Sequence, residues 1–341
     1  MKRRQFIEAV PAAAFSLLAK NGSGSGGAWP FSPPATRNDW SRIDAAGFSS
    51  PTYGIVFDGD RLRSGMPLGG LGTGYLSIEG DGKLGYSSIF NEFVPPKKII
   101  ADWLTVEAGL RRIPLSSARI TFWGHYPVAD LIAEFSELPL RLGIRAFSPF
   151  IPGDAVASNT PAVLIEIEAT NRSSSPLDVT LNLKFPAAPA RASFAVRGEG
   201  IEPRDPEQST YSSVLRLPPN EARKVRFVAA WFAPVWRDSG SEPHRNRYSQ
   251  RFHDAAGVAE TALGRYDELL RRILAWQSVL YSSDLPGWLQ DALVQCFYSM
   301  AKNSVWIART RGDEWWGENG WFTHSESHTG CPIVETMVCR M

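Results

Sequence analysis

Cysteine is scarce in this chain. The three present, Cys296, Cys331 and Cys339, fall within 44 residues at spacings that match no zinc or disulfide framework. They read as free thiols, and a disulfide-stapled scaffold is excluded. An excess of one charge sign is also lacking: 36 Lys and Arg face 35 Asp and Glu, a formal charge of +1. No bulk attraction to nucleic acid or anionic lipid is available, so a nucleic-acid partner is not expected. Long apolar runs are missing too. The best candidate, Ala9 to Ala19, is interrupted by Pro11 and is far short of the about 20 residues a membrane-spanning helix needs. No stable membrane anchor is expected. There is no Gly-Lys-Ser/Thr phosphate loop, no Gly-x-Ser-x-Gly elbow and no His-Glu-x-x-His helix, so the common nucleotide, serine-hydrolase and zincin arrangements find no support. What the chain does have is length, turns and tryptophan. Its 341 residues suit two domains at about 100–200 residues each. Gly 29 and Pro 25 promise many turns, and 12 tryptophans exceed ordinary usage.

The N-terminus, Met1-Lys2-Arg3-Arg4-Gln5-Phe6-Ile7, followed by the short apolar stretch and Asn21-Gly22-Ser23-Gly24-Ser25-Gly26-Gly27, resembles a twin-arginine signal with a Gly/Ser linker over 1–27. Export by the twin-arginine machinery to the periplasm or beyond is the expectation; a disordered basic tail is the alternative. From about Ser41 to Phe232 the apolar period is two. Val163, Ile165 and Ile167 alternate with Leu164, Glu166 and Glu168; Val179, Leu181 and Leu183 alternate with Thr180, Asn182 and Lys184. These read as half-buried strands whose apolar faces need a second sheet, which predicts an antiparallel β-sandwich over 41–256. From 257 to 341 the period becomes 3.6. Ala262, Leu263, Tyr266, Leu269, Leu270, Ile273 and Trp276 form one stripe, and Trp288, Leu289, Ala292, Leu293, Cys296 and Met300 another. A polar, Trp-rich loop is expected from Arg311 to Gly330, and a helical pattern resumes at Pro332. Because that pattern stops at Met341 without a cap, the chain reads as a fragment, the helical part incomplete.

The cluster Gly65-Met66-Pro67-Leu68-Gly69-Gly70-Leu71-Gly72-Thr73-Gly74 continues into the strand-like Tyr75-Leu76-Ser77-Ile78 rather than a helix. Its glycines therefore let backbone approach something closely, either a neighbouring strand or a ligand sugar. His324 and His328 lie four apart around Glu326, which permits a metal reading, although Ser325, Ser327 and Thr329 favour a loop. The richest stretch is Asp313, Glu314, Trp315, Trp316, Glu318, Trp321, His324, Glu326, His328 and Glu335. Carboxylates and imidazoles bind sugar hydroxyls, and Trp covers the C–H face of a sugar ring, so a carbohydrate site fits. Two carboxyl groups flanking a glycosidic bond would suffice for hydrolysis. The plain alternative is solvated loop acids and packing tryptophans.

Several colinear pieces together resemble glycoside hydrolase family 116, the family of non-lysosomal glucosylceramidases and related bacterial β-glucosidases. These are Gly65 to Gly74; Ile89-Phe90-Asn91; Phe147-Ser148-Pro149-Phe150-Ile151-Pro152-Gly153-Asp154 with Thr160-Pro161-Ala162-Val163; Trp231; Tyr248 with Arg251-Phe252; Trp276; and Leu285-Pro286-Gly287-Trp288-Leu289. The resemblance spans about 50 to 341. It implies a β-sandwich followed by an (α/α)6 barrel, a retaining β-glycosidase and no cofactor. It implies a Glu nucleophile shortly before a helix bearing a Glu-Thr pair, here Glu335-Thr336. Counting back places Glu326 as the nucleophile, with Glu335 as second choice. Trp315, Trp321, His324, His328 and Thr336 then bind the sugar, and the acid/base Asp lies beyond Met341. On this reading the chain alone is inactive. A non-catalytic exported carbohydrate-binding β-sandwich is the competing reading.

Overall fold

The computed structural model describes residues 55–58, 65–91, 96–237, 242–310, 320–325 and 334–335. The signal-like segment and linker, and also Trp315, Glu326, His328, Thr336, Cys331 and Cys339, lie outside the described residues.

Alternating apolar sequence becomes antiparallel sheet. Seven strands form a large sheet in the order Ile55–Asp58, Arg119–His125, Val128–Glu134, Leu140–Phe147, Ala162–Asn171, Ala222–Phe232 and Ser193–Gly198. Five strands form a smaller one: Glu202–Asp205, Thr210–Leu217, Leu177–Lys184, Leu104–Ala108 and Arg111–Pro114. Val163, Ile165, Ile167 and Phe227 from the first share one buried cluster with Leu104, Val106, Val179, Leu181 and Leu183 from the second. That shared cluster is the core of a sandwich, and each fully buried aliphatic side chain in it contributes about 1.5–3 kcal/mol. A separate four-stranded sheet holds Met66–Leu68, Leu76–Ile78, Leu84–Ser87 and Lys97–Ala101.

Half-burial holds for the small sheet but not for the large one. Leu164, Val228 and Ala230, on the opposite face from Ile165 and Phe227, are also fully buried, and Glu166 is only 4% exposed. Helices cover that face, which makes three layers. After the four-residue helix α1, Ala155–Ser158, come α2, Ala255–Leu263, and α3, Tyr266–Tyr281. Asp254 caps α2 by accepting from the Gly257 N–H at 2.7 Å. Val258, Ala262, Leu269 and Ile273 then pack with Leu164, Val228 and Ala230. The single stripe expected from Ala262 to Trp276 is broken at Gly264 and Arg265, where the glycine lowers helix propensity, yet both helices turn its members inward.

Helix α4, Gly287–Gln295, reverses the expectation. Its buried residues are Gln290, Asp291 and Val294, whereas Trp288 is 64% exposed and Ala292 and Cys296 are exposed. The polar face is inward because it satisfies backbone and side-chain groups at the helix junction. Gln290 Nε2 donates to the carbonyls of Ser283 and Leu285, each at 2.9 Å, and Asp291 Oδ1 accepts from the Tyr281 hydroxyl and Gln295 Nε2, each at 3.2 Å. A short helix α5, Tyr298–Lys302, follows.

Burial pushes the Asp291 carboxyl up to about 6, against the hydrogen bonds from Gln295 and Tyr281. The folded protein therefore holds this proton more tightly than the unfolded chain, whose Asp titrates near about 4. The sign follows: the stability Asp291 offers is full below about pH 4 and is lost as pH rises through about 6. Asp291→Asn keeps an acceptor for both donors without the charge. It is expected to raise stability at pH 7–8 by on the order of 2 kcal/mol and to flatten the dependence between pH 4 and 6. Urea midpoints at pH 5 and pH 8 check this; a variant less stable at both values contradicts it.

Candidate active site

The glycine cluster sits where the sandwich meets the last sheet. Gly72 has φ +65° and Gly74 φ +81°, left-handed values that glycine adopts without strain. A Cβ on Gly70 would lie 2.5 Å from the Thr160 carbonyl oxygen, and one on Gly72 would lie 2.5 Å from the backbone nitrogen of Trp306. Of the two readings left open, a neighbouring strand or a ligand sugar, the described contacts are therefore protein backbone. Hydrogen bonds fix the segment from several sides. Leu71 N–H donates to the Ser158 carbonyl at 2.6 Å, Asn159 Nδ2 to the Leu71 carbonyl at 2.6 Å, and Trp231 Nε1 to the Thr73 carbonyl at 2.7 Å. Gly72 N–H donates to Ser304 Oγ at 2.8 Å.

Other residues of the motifs meet here as well. Asn91 Nδ2 donates to the carbonyls of Ala233 and Val235; Asn246 Nδ2 donates to Asn91 Oδ1 at 2.9 Å and to the Ala233 carbonyl at 2.7 Å. The Tyr248 hydroxyl donates to that same Ala233 oxygen at 2.7 Å while accepting from the Ala233 N–H. Arg251 donates to the Asn159 carbonyl, and Trp276 Nε1 to that of Phe150 at 3.1 Å. Arg251 lies low for a guanidinium, at about 10, because of burial and then the neighbouring Arg247 charge.

The last sheet has the order Ser304–Ile307, Trp321–Ser325, Val334–Glu335. Part of the expected loop is thus a strand, in keeping with the aromatic and β-branched run Trp321-Phe322-Thr323. Val334 and Glu335, expected in a helical pattern, also pair as a strand; the β-branched Ile333, Val334 and Thr336 around Glu335 favour that outcome. Register puts Trp321 opposite Ile307, and His324 opposite Ser304 on one side and Glu335 on the other. Two of the predicted site residues, His324 and Glu335, are therefore neighbours in one rung. Glu326 follows Ser325 directly in sequence but lies outside the described residues, as do Trp315, His328 and Thr336. The metal reading depends on His328 and so also falls outside. Among the described residues no group of three or more His, Cys, Asp or Glu is placed to hold a metal ion.

Sequence reasoning missed a buried charge ladder beneath α3. Asp130, Arg145, Glu166 and Arg226 stand directly opposite one another on four adjacent strands, and Asp267 of α3 extends the row. Arg145 donates to both Asp130 oxygens at 2.8 and 2.7 Å, and His125 Nε2 lies 3.1 Å from Asp130 Oδ2. Gln277 of α3 completes the cluster: its Oε1 lies 2.9 Å from His125 Nδ1, and its Nε2 donates to the carbonyls of His125 and Tyr126. Burial alone would raise the Asp130 carboxyl, but Arg145 and then His125 hold it well below the usual carboxylate range. Asp130 and His125 are fully buried. Buried at Asp130, Arg145 and Glu166 and open to solvent at Arg226 and Asp267, this row clamps helix to sheet. The only sequence signal for it was a charge on each strand at an otherwise apolar position.

Sheet, helix cover and converging motifs define a β-sandwich module covered by helices on one face. Residues 65–204 match the family model described as beta-glucosidase 2, glycosyl-hydrolase family 116 N-term. The resemblance read from the motifs is thereby shown over that span. Among solved structures, a chain described as a kojibiose phosphorylase from human microbiome is similar at 10% identity and a TM-score of 0.35. The match covers 75% of this chain and 37% of that one. No curated protein matches the sequence.

Proposed function

We propose that the complete gene product is an exported retaining β-glycosidase acting on β-linked glucosides or related sugars. This chain supplies its β-sandwich, the first helices of an (α/α)6 barrel and the nucleophile. The observation that carries the reading is the family match over residues 65–204, whose Gly65–Gly74 segment is bonded to Ser158 and Asn159 and, through the Gly72 N–H, to Ser304 of the strand beside His324. In this reading the Glu326 carboxylate attacks the anomeric carbon while a carboxylic acid from the barrel protonates the departing glycosidic oxygen. Water then cleaves the glycosyl ester, so configuration is kept by two inversions. Trp315 and Trp321 cover the apolar face of the sugar, and His324, His328 and Thr336 take its hydroxyls. The Arg3-Arg4 segment directs export through the twin-arginine machinery; among the described residues no helix is long and apolar enough to cross a membrane.

The test follows the anomeric signal of the first product by proton NMR during hydrolysis of an aryl β-glucoside by the complete gene product. The β-anomer appearing first is expected. The α-anomer appearing first refutes retention, and absence of turnover on any β-linked sugar, with binding retained, favours the carbohydrate-binding alternative.

A further inference from the structure

The four-stranded sheet turns Leu76, Ile78 and Leu84 into the core. Ser77, and Glu79 just past the end of its strand, therefore take the opposite face. The Ser77 hydroxyl donates to Glu79 Oε1 at 2.6 Å and accepts from the Tyr86 N–H at 2.7 Å. A Cβ on Gly85 would collide with that Oε1, so the glycine gives the carboxylate room to lie against the sheet. The ladder is irregular between Leu84 and Tyr86, and Tyr86 emerges 41% exposed. Tyr75 belongs to the same face: its phenol is pushed up to about 12 by burial first, then by Glu79 and Tyr86.

Helix α5 brings a cation and a further ring to this face. Its Ala301 is buried in the cluster that holds Met66, Leu68 and Ile78. Tyr298, one turn before Lys302, is 41% exposed, and Lys302 Nζ lies 5.8 Å from the centre of its ring, within cation–π reach. Burial draws the Lys302 ammonium below its ordinary value, and the Glu79 carboxylate opposes that shift. The two charges therefore sense each other, yet among the described residues no carboxylate is bonded to Lys302. Ser77 keeps Glu79 against Gly85, while Tyr298 attracts Lys302. An acceptor and a donor held near each other without touching have bonding capacity to spare.

We propose that Glu79, Lys302, Tyr86 and Tyr298 form a binding site for a neutral pyranose ring of an oligosaccharide. A sugar hydroxyl both donates and accepts, so neighbouring hydroxyls answer a carboxylate, which only accepts, and an ammonium, which only donates. The exposed tyrosine rings receive the C–H face of the sugar. One positive and one negative group leave no net charge to draw an ionic ligand. The site holds a sugar chain and takes no part in bond cleavage; it goes beyond the glycosidase reading and does not depend on it.

The experiment uses the complete gene product grown with meta-fluorotyrosine, the Tyr86 and Tyr298 fluorine signals being assigned with Tyr86→Phe and Tyr298→Phe. Thio-linked cellotetraose, whose sulfur bridges resist glycosidases, and maltotetraose are each titrated to about 20 mM, against a Kd expected on the order of 1 mM. Both signals are expected to move along one saturation curve with at least one of the two sugars. Glu79→Gln keeps an acceptor for the Ser77 hydroxyl, and Lys302→Met keeps the length of the side chain. Each is expected to weaken binding by about tenfold while melting close to wild type. Should Glu79→Gln melt far lower, Tyr86→Ala, read at the Tyr298 signal, makes the same test. Three results overturn the proposal: neither signal moves with either sugar; the variants bind as tightly as wild type; or glycine betaine, a zwitterion, moves the signals while the sugars do not.

Discussion

Glu326→Gln in the complete gene product is expected to reduce kcat on an aryl β-glucoside by on the order of 10³-fold or more, and Glu335→Gln by less. The amide is nearly the same shape as the carboxylate but cannot form the glycosyl ester, so the first step loses its nucleophile while sugar contacts survive. KM should therefore change little. Glu335 sits in the rung opposite His324, where its loss perturbs the site's geometry rather than the bond-forming atom. A small external anion separates the two roles. Added azide should restore turnover to Glu326→Ala, whose truncated side chain leaves it room, and deliver an inverted glycosyl azide, since one displacement replaces two. Rescue of Glu335→Ala and not of Glu326→Ala exchanges the assignments. Full turnover in both variants removes carboxylate nucleophilic catalysis from this part of the chain.

The strands were legible because alternation over Val163–Glu168 or Val179–Lys184 is a local signal, and the sandwich followed from the need to cover the apolar faces. What escaped was whatever depended on a distant partner. Leu164 and Glu166 look like the solvent face of a strand until α2 and α3, some 90 residues later, cover them. Helix α4 was read inside out for the same reason. Trp288 and Ala292 form the apolar stripe, but the junction with α3 offers carbonyls and a hydroxyl that Gln290 and Asp291 satisfy, and those bonds decide which face turns in. In the stretch rich in acids and aromatics, composition suggested a loop and missed that Trp321–Ser325 is a strand. Ser304 gave no warning at all. Its meaning lies in a bond to Gly72, and neither residue type announces that bond alone.

Breaking the charge ladder should have the largest effect on folding. Asp130→Asn is expected to destabilise the chain by about 3–5 kcal/mol, because it leaves the buried Arg145 guanidinium without its bidentate anionic partner. The pH dependence supplies an independent check. Asp130 has a folded-state pKa depressed below the unfolded value, so its contribution is full above about pH 4 and is withdrawn as pH falls through the lower, folded-state value. The gap in stability between wild type and Asp130→Asn should therefore be constant from pH 5 to 8 and narrow progressively as pH falls below about 4. A double replacement, Asp130→Leu with Arg145→Met, removes both charges and should cost less than Asp130→Asn alone, since no unpaired ion is left in the interior. His125 and Gln277 would still tie the sheet to α3 through the Gln277 amide and the His125 and Tyr126 carbonyls. If urea unfolding instead found the single variant within about 1 kcal/mol of wild type, Glu166, opposite Arg145, would have to supply the missing counter-charge. Asp130→Asn combined with Glu166→Gln would then show the full loss.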